Sequence, residues 1–164
     1  MNKLIIVIVS ILVLGAIVWY ARPGAKGTSD PTETPTGPSI LTSSEMKYDF
    51  GTISMKDGNI SHLFTVTNTG TEAVTVSKLY TSCMCTTASI MNGTEKVGPF
   101  GMPGHAGIPS IKVVLEPGAS TQVEAIFDPN AHGPAGVGKI ERVVILENSA
   151  GKPLELAFSA NVTP

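Results

Sequence analysis

From Met46 onward the chain is written in short runs of alternating apolar and polar residues, each broken by Gly, Pro, Asn or Asp. A period of two sends every second side chain to one face of an extended strand, whereas an amphipathic helix needs a period near 3.6. Asn59 to Asn68 sets Ile60, His62, Phe64 and Val66 on one face, with Ser61, Thr65 and Thr67 on the other. Thr121 to Phe127 repeats the pattern with Val123, Ala125 and Phe127, and Leu154 to Val162 with Leu154, Leu156, Phe158 and Ala160. Tyr48-Asp49-Phe50-Gly51, Ala73 to Tyr80 and Ile111 to Leu115 read as further strands, with Val74 and Val76 facing inward. Lys139 to Glu147 carries apolar residues in both phases, so both of its faces are partly covered. Asn68-Thr69-Gly70-Thr71 reads as a hairpin-type turn, because Asn and Gly tolerate positive φ. Six or seven strands with turns at this spacing predict one immunoglobulin-like, all-β sandwich over 45–164.

Composition supports short strands over long helices: the chain has 17 Gly and 12 Pro, and both residues break helices. A net charge of −2 supplies no basic footprint for nucleic acid.

The N-terminal part has a different character. Leu4 to Tyr20 runs without a charge, interrupted only by Ser10 and Gly15. At about 1.5 Å of rise per residue, such a helix covers most of a hydrocarbon core of about 30 Å. Trp19 and Tyr20 close the run, where amphipathic aromatics favour the interface, and the bulky exit Ile17-Val18-Trp19-Tyr20-Ala21-Arg22 lacks a small-x-small cleavage site. The expectation is an uncleaved transmembrane anchor over 1–22, with the folded domain outside the cytoplasm. Residues 23–44 are Pro, Gly, Ser and Thr almost throughout, and are expected to form a flexible linker with too little apolar surface to fold.

Several stretches together resemble a known family. Tyr48-Asp49-Phe50-Gly51-Thr52 is followed by Phe64-x-Val66-x-Asn68-x-Gly70 and then by Thr81-Ser82-Cys83-Met84-Cys85-Thr86-Thr87. With Glu116-Pro117-Gly118 and Phe127-Asp128-Pro129, they resemble the bacterial domain-of-unknown-function family 1573, grouped with the Hydin-like, immunoglobulin-type sandwich domains. The resemblance spans roughly residues 46 to 162, and Cys-x-Cys-Thr is its most specific element. Two departures stand out: Met84 occupies a position where the family usually has glycine, and a longer insertion lies between Ser89 and Ser110. The resemblance implies a bacterial envelope protein and carries no assigned activity.

Cys83 and Cys85 are the only cysteines, and a bridge between residues i and i+2 closes no useful loop. If the chain stays extended there, both sulfurs point to one side within a few ångströms. Two soft thiolates so placed suit Cu(I), or Zn with further ligands. Met84, Met91 and Met102 offer further sulfur nearby in sequence, and His105 and His132 offer nitrogen. The candidate metal set is therefore Cys83, Cys85, Met102, His105 and His132, with Met102 and His105 placed in a Gly- and Pro-rich insertion too irregular for regular structure. Three readings of the cysteines stand side by side: buried structural thiols or a transient bridge, a Cu(I) site, and disulfide exchange. Each of Met102, His105 and His132 also has a plain reading as a loop residue. His62, on the apolar face of its strand, reads as a hydrogen-bonded structural histidine.

Enzymatic signatures are thin. No Gly-x-Ser-x-Gly elbow is present, and the glycines of Gly133 to Gly138 lack the strand-to-helix context of a phosphate loop. The carboxylates Asp49, Asp128 and Glu141 imply no paired geometry. The sequence thus points to a membrane-held binding or interaction module rather than an enzyme. Its expected partners are the membrane and another envelope protein, with Cu(I) as the candidate cofactor and no nucleic acid or small-molecule substrate. The alternatives are a thiol–disulfide exchange accessory protein and a metal-free adhesion or scaffold domain.

Overall fold

The computed structural model describes residues 40–104 and 107–164. The expected anchor, most of the expected linker and His105 lie outside the described residues. Among the described residues, no helix is long and apolar enough to cross a membrane.

Ten strands are formed among these residues: β1 (Leu41–Ser43), β2 (Lys47–Ser54), β3 (Ile60–Asn68), β4 (Val74–Thr81), β5 (Thr86–Asn92), β6 (Glu95–Phe100), β7 (Val113–Leu115), β8 (Ser120–Phe127), β9 (Gly138–Asn148) and β10 (Leu154–Thr163). They make two five-stranded sheets, ordered β1-β3-β8-β5-β6 and β2-β10-β9-β4-β7. All pairings are antiparallel except that of β2 with β10, which is parallel. Among the described residues, helical structure is limited to two single 3-10 turns, Met55–Asp57 and Gly133–Gly136. The all-β sandwich expected from the alternation is the fold observed.

The inward rows follow the alternation closely. Phe64 and Val66 of β3, Val123, Ala125 and Phe127 of β8, and Leu154, Leu156, Phe158 and Ala160 of β10 are all buried. The rings meet edge-on or tilted, as their quadrupoles favour: Phe50 lies 5.5 Å from Phe158, and Phe127 lies 5.8 Å from it. His62 has the expected structural role. Its ring stacks on Tyr48 at 3.6 Å, and its Nε2 lies 2.7 Å from a Glu45 carboxylate oxygen.

Three expectations need correction. The sandwich begins before residue 45: β1 pairs with β3, and Leu41 is fully buried. A three-residue strand in a Ser/Thr-rich context is too short to show alternation. Secondly, the Asn68–Thr71 turn is a crossover between sheets and not a hairpin, since β3 and β4 belong to different sheets. Positive φ is not its device, because among the described residues only glycines adopt it and Gly70 is not one of them. The buried Asn68 side chain holds the turn instead. Its amide donates to the carbonyls of Glu72 (2.8 Å) and Leu115 (2.9 Å), and its oxygen accepts from Gly70 N–H (2.9 Å).

Thirdly, the start of the Gly- and Pro-rich stretch is regular structure after all: Gly98 to Phe100 belong to β6, which pairs with β5 as an antiparallel hairpin. Strand β6 runs through Gly98-Pro99, where Gly98 has φ +123° and a Cβ would sit 2.9 Å from Ser89 Oγ. Only glycine fits such a close approach. Val74 and Val76 face inward as expected, although β4 does not keep one phase along its length. A bulge between Val76 and Lys78 shifts the register, so Val74, Val76, Leu79 and Thr81 are the buried residues. An extra residue reverses the facing of everything after it.

Because β1 contributes a fully buried leucine, Leu41→Ala should cost about 2–5 kcal/mol of unfolding free energy. Urea denaturation measures this, and a loss below about 0.5 kcal/mol, the size of an ordinary surface substitution, would show that β1 is not integral to the domain.

Candidate metal centre at the crossover end

The site forms where two chain crossings between the sheets meet. Strand β4 lies in one sheet and β5 in the other, and Cys83-Met84-Cys85 is the link. Likewise β8 and β9 lie in opposite sheets, and His132 is in their link. Each crossing is pinned by backbone hydrogen bonds. Thr86 N–H donates to Cys83 carbonyl (3.1 Å), which closes a β-turn over the four residues Cys83 to Thr86. The buried Thr81 hydroxyl lies 3.0 Å from Cys83 carbonyl and 2.9 Å from Thr86 carbonyl, and donates its one proton to either. Ser82 and Val143 are tied twice, by Ser82 N–H to Val143 carbonyl and by Val143 N–H to Ser82 Oγ, each at 2.9 Å. Asp128 N–H donates to Cys85 carbonyl at 2.8 Å, joining one crossing to the other.

The β8–β9 crossing is held in turn by its own side chains. Asp128 Oδ1 accepts from Asn130 N–H (2.8 Å), and Asn130 Nδ2 donates to Met55 carbonyl (2.8 Å). Gly133, at φ +53°, ends the turn that carries His132. The following stretch makes a 3-10 turn, and Gly138 and Lys139 then open strand β9.

The extended geometry expected of Cys83 and Cys85 is not found: the turn brings the thiols together instead. Cys83 Sγ, Cys85 Sγ and a ring nitrogen of His132 all lie within 4.8 Å of one another. Cys83 Sγ is 3.2 Å from His132 Nε2 and accepts from Cys85 N–H at 3.4 Å. Cys85 is buried, Cys83 half-buried and His132 exposed, so the group opens outward through the imidazole. Both thiols are free. Met84 is 65% exposed at the turn's apex and needs no positive φ, so a side chain there in place of glycine causes no backbone strain. Of the other candidates, Met102 is half exposed in the segment that follows Gly101, whose carbonyl accepts from Thr81 N–H at 3.2 Å.

Arg142 completes the site and was not anticipated. Its Nε donates to Cys85 Sγ at 3.1 Å, and Nη1 to Glu141 carbonyl at 2.8 Å. The signal was present in the sequence: Arg142 shares the phase of Val144 and Leu146, both fully buried. An arginine in line with a core row points into the protein or at its end.

These contacts set the two thiols apart. Burial pushes Cys83 up, but hydrogen bonds from the Cys85 thiol and backbone N–H, then from His132, outweigh it together with the Arg142 charge, and bring it down to about 7. Burial, and then the hydrogen bond with Cys83, push Cys85 up against the pull of Arg142 and Thr86. The first proton lost by the pair leaves Cys83.

The donor set fits a soft ion. Thiolate and imidazole suit Cu(I) or Zn, and metal–sulfur and metal–nitrogen bonds of about 2.3 and 2.0–2.1 Å set ligand atoms roughly 3.5–4 Å apart. A group already within 4.8 Å needs only small side-chain rotations to reach that spacing. Cys83, Cys85 and His132 are the residues that would hold the ion, with Arg142 bonded behind Cys85 as an outer partner.

Residues 41–101 match the model of a family described as protein of unknown function, DUF1573. The family is the one expected from the sequence. The matched stretch includes the Cys83–Thr86 turn but neither His132 nor Arg142. None of the curated proteins compared matches the chain. Among solved structures, a protein of unknown function from Porphyromonas gingivalis W83 is similar at TM-score 0.52 and 15% identity, over 81% of this chain and 51% of that one. The chain spans about half the length of that relative, and the likeness is one of fold. An ASH/PapD-like domain of human CEP192 is similar at TM-score 0.48 and 14% identity, over 83% and 95% of the two chains. The Vibrio cholerae VesB protease is similar at 0.48 and 17%, over 75% and 32%.

In the reduced, metal-free protein, iodoacetamide should alkylate Cys83 ahead of Cys85, at a rate that rises with pH through about 7, because the thiolate is the nucleophile. His132→Ala removes one stabilising contact and should move the midpoint upward. Mass spectrometry of the labelled peptides reads both effects. Labelling of Cys85 first, or a midpoint at the ordinary thiol value of about 8.5, would contradict this account.

Proposed function

We propose that the domain is a binding module for a soft metal ion, Cu(I) in the first place, held by Cys83, Cys85 and His132. The observation that carries the reading is the convergence of two thiols and an imidazole within 4.8 Å at the end of a rigid sandwich. Three soft or borderline donors match the low coordination number Cu(I) accepts, and a half-open position suits capture and release more than permanent burial. The uncharged run Leu4 to Tyr20 supports a location at the outer face of a bacterial membrane, with the domain presented to another envelope protein. The role proposed is binding and not catalysis.

A second reading, disulfide exchange, is favoured by the asymmetry of the thiols. Cys83 is the more exposed and more acidic, and Cys85 lies buried behind it, as an attacking and a resolving thiol would.

The full chain, reduced and anaerobic, should bind one Cu(I) per molecule in competition with a calibrated chelator. Cys83→Ser/Cys85→Ser should abolish that binding, and His132→Ala should weaken it by about 10- to 100-fold or more, the scale reported for losing even an outer contact of a metal site. Wild-type binding no stronger than that of the double variant would discard the metal reading. A reversible Cys83–Cys85 bridge in glutathione buffers would then leave exchange as the function.

A further inference from the structure

We infer that Arg142 is a specificity-determining residue of this site, setting it for a monovalent soft ion against a divalent one. The inference rests on the reading of Cys83, Cys85 and His132 as metal ligands, and goes beyond it by naming what selects the charge of the ion.

Arg142 is fixed in place. Ser82 and Val143 are joined by two hydrogen bonds, so the residue after Arg142 is tied to the residue before Cys83. The guanidinium is then held at both ends, by Cys85 Sγ at 3.1 Å and by the Glu141 carbonyl at 2.8 Å. It follows Leu146 and Val144 in the inward phase of β9, between Val144 and Ile140, which packs on the core beyond it. A guanidinium keeps its charge under all ordinary conditions, and it has no acceptor with which to ligate a metal. It therefore acts on the ion through its field and through the sulfur it contacts. Both sulfurs feel that charge.

The charge count decides between ions. Two thiolates, a neutral imidazole and the guanidinium sum to one negative charge. A monovalent ion brings the half-buried group to neutrality. A divalent ion leaves one positive charge uncompensated beside a fixed guanidinium, and an unpaired charge away from water is disfavoured. With the ion about 5 Å from the guanidinium and an effective dielectric constant of about 20, the extra charge corresponds to a discrimination on the order of 100- to 1,000-fold. A zinc site built from the same three ligands would have no use for a cation bonded to one of its thiolates.

The test compares Cu(I) and Zn(II) affinities of the full chain and of two variants, Arg142→Gln and Arg142→Lys, each measured anaerobically against calibrated competitors. Both ions are titrated into one preparation, so any loss of folded protein lowers the two apparent capacities alike and leaves the affinity ratio intact. Arg142→Gln should shift the ratio of affinities toward Zn(II) by on the order of 100- to 1,000-fold. Arg142→Lys, which keeps the charge, should stay close to the wild-type ratio. An unchanged ratio in Arg142→Gln, or equal shifts in both variants, overturns the role assigned to Arg142 while leaving the metal site standing. Failure of the unaltered chain to bind either ion overturns the metal reading, and this inference with it.

Discussion

The hydrogen bond from Asp128 N–H to the Cys85 carbonyl joins the two places where the chain passes from one sheet to the other. It carries the β5–β8 ladder, in which Thr86 faces Phe127, one step past the strand ends and into both crossings. With it, a buried thiol and an exposed imidazole from distant parts of the sequence share one corner of the sandwich. The rest of the site is built on this tie. The Thr81 hydroxyl closes the cysteine turn from below, and the Ser82–Val143 pair lashes it to β9 from the side. The site thus borrows its rigidity from the core, although its ligands belong to connections.

Much of the fold could be read from alternation, and the strands that could not be read share one physical trait. Strands β3, β8 and β10 have one face to the core and one to solvent, so their sequences alternate and their buried residues were named correctly. Strand β5 buries Ala88, Ser89 and Ile90 in succession around an irregular pairing, which erases the period. Strand β6 contains a Gly-Pro step that local propensity assigns to a loop, and pairing with β5 overrides it. Strand β1 is three residues long and owes its existence to the partner it meets. Tertiary pairing decides such segments, and no local signal carries it.

The candidate site was legible as residue types but not as geometry. Cys83 and Cys85 announce themselves by spacing, yet the device that joins them is a turn and not a strand. His132 is one of three histidines, and nothing local marks it over His105. Its proximity comes from the crossing that bears it. Arg142 could have been found, because a charge in phase with Val144 and Leu146 is an anomaly in a core row.

The bulge between Val76 and Lys78 has an effect well beyond β4. Upstream of it the even-numbered residues face the core, and downstream the odd-numbered ones do. Were the strand to pair regularly through that point with the same residues, Tyr80 and not Thr81 would turn inward, and the hydroxyl that closes the cysteine turn would look at solvent. The chain would leave the sheet from the opposite side, and its sulfurs would be carried away from the arginine waiting on the neighbouring strand. One surplus residue, some distance from any ligand, works here as a parity bit for the whole corner.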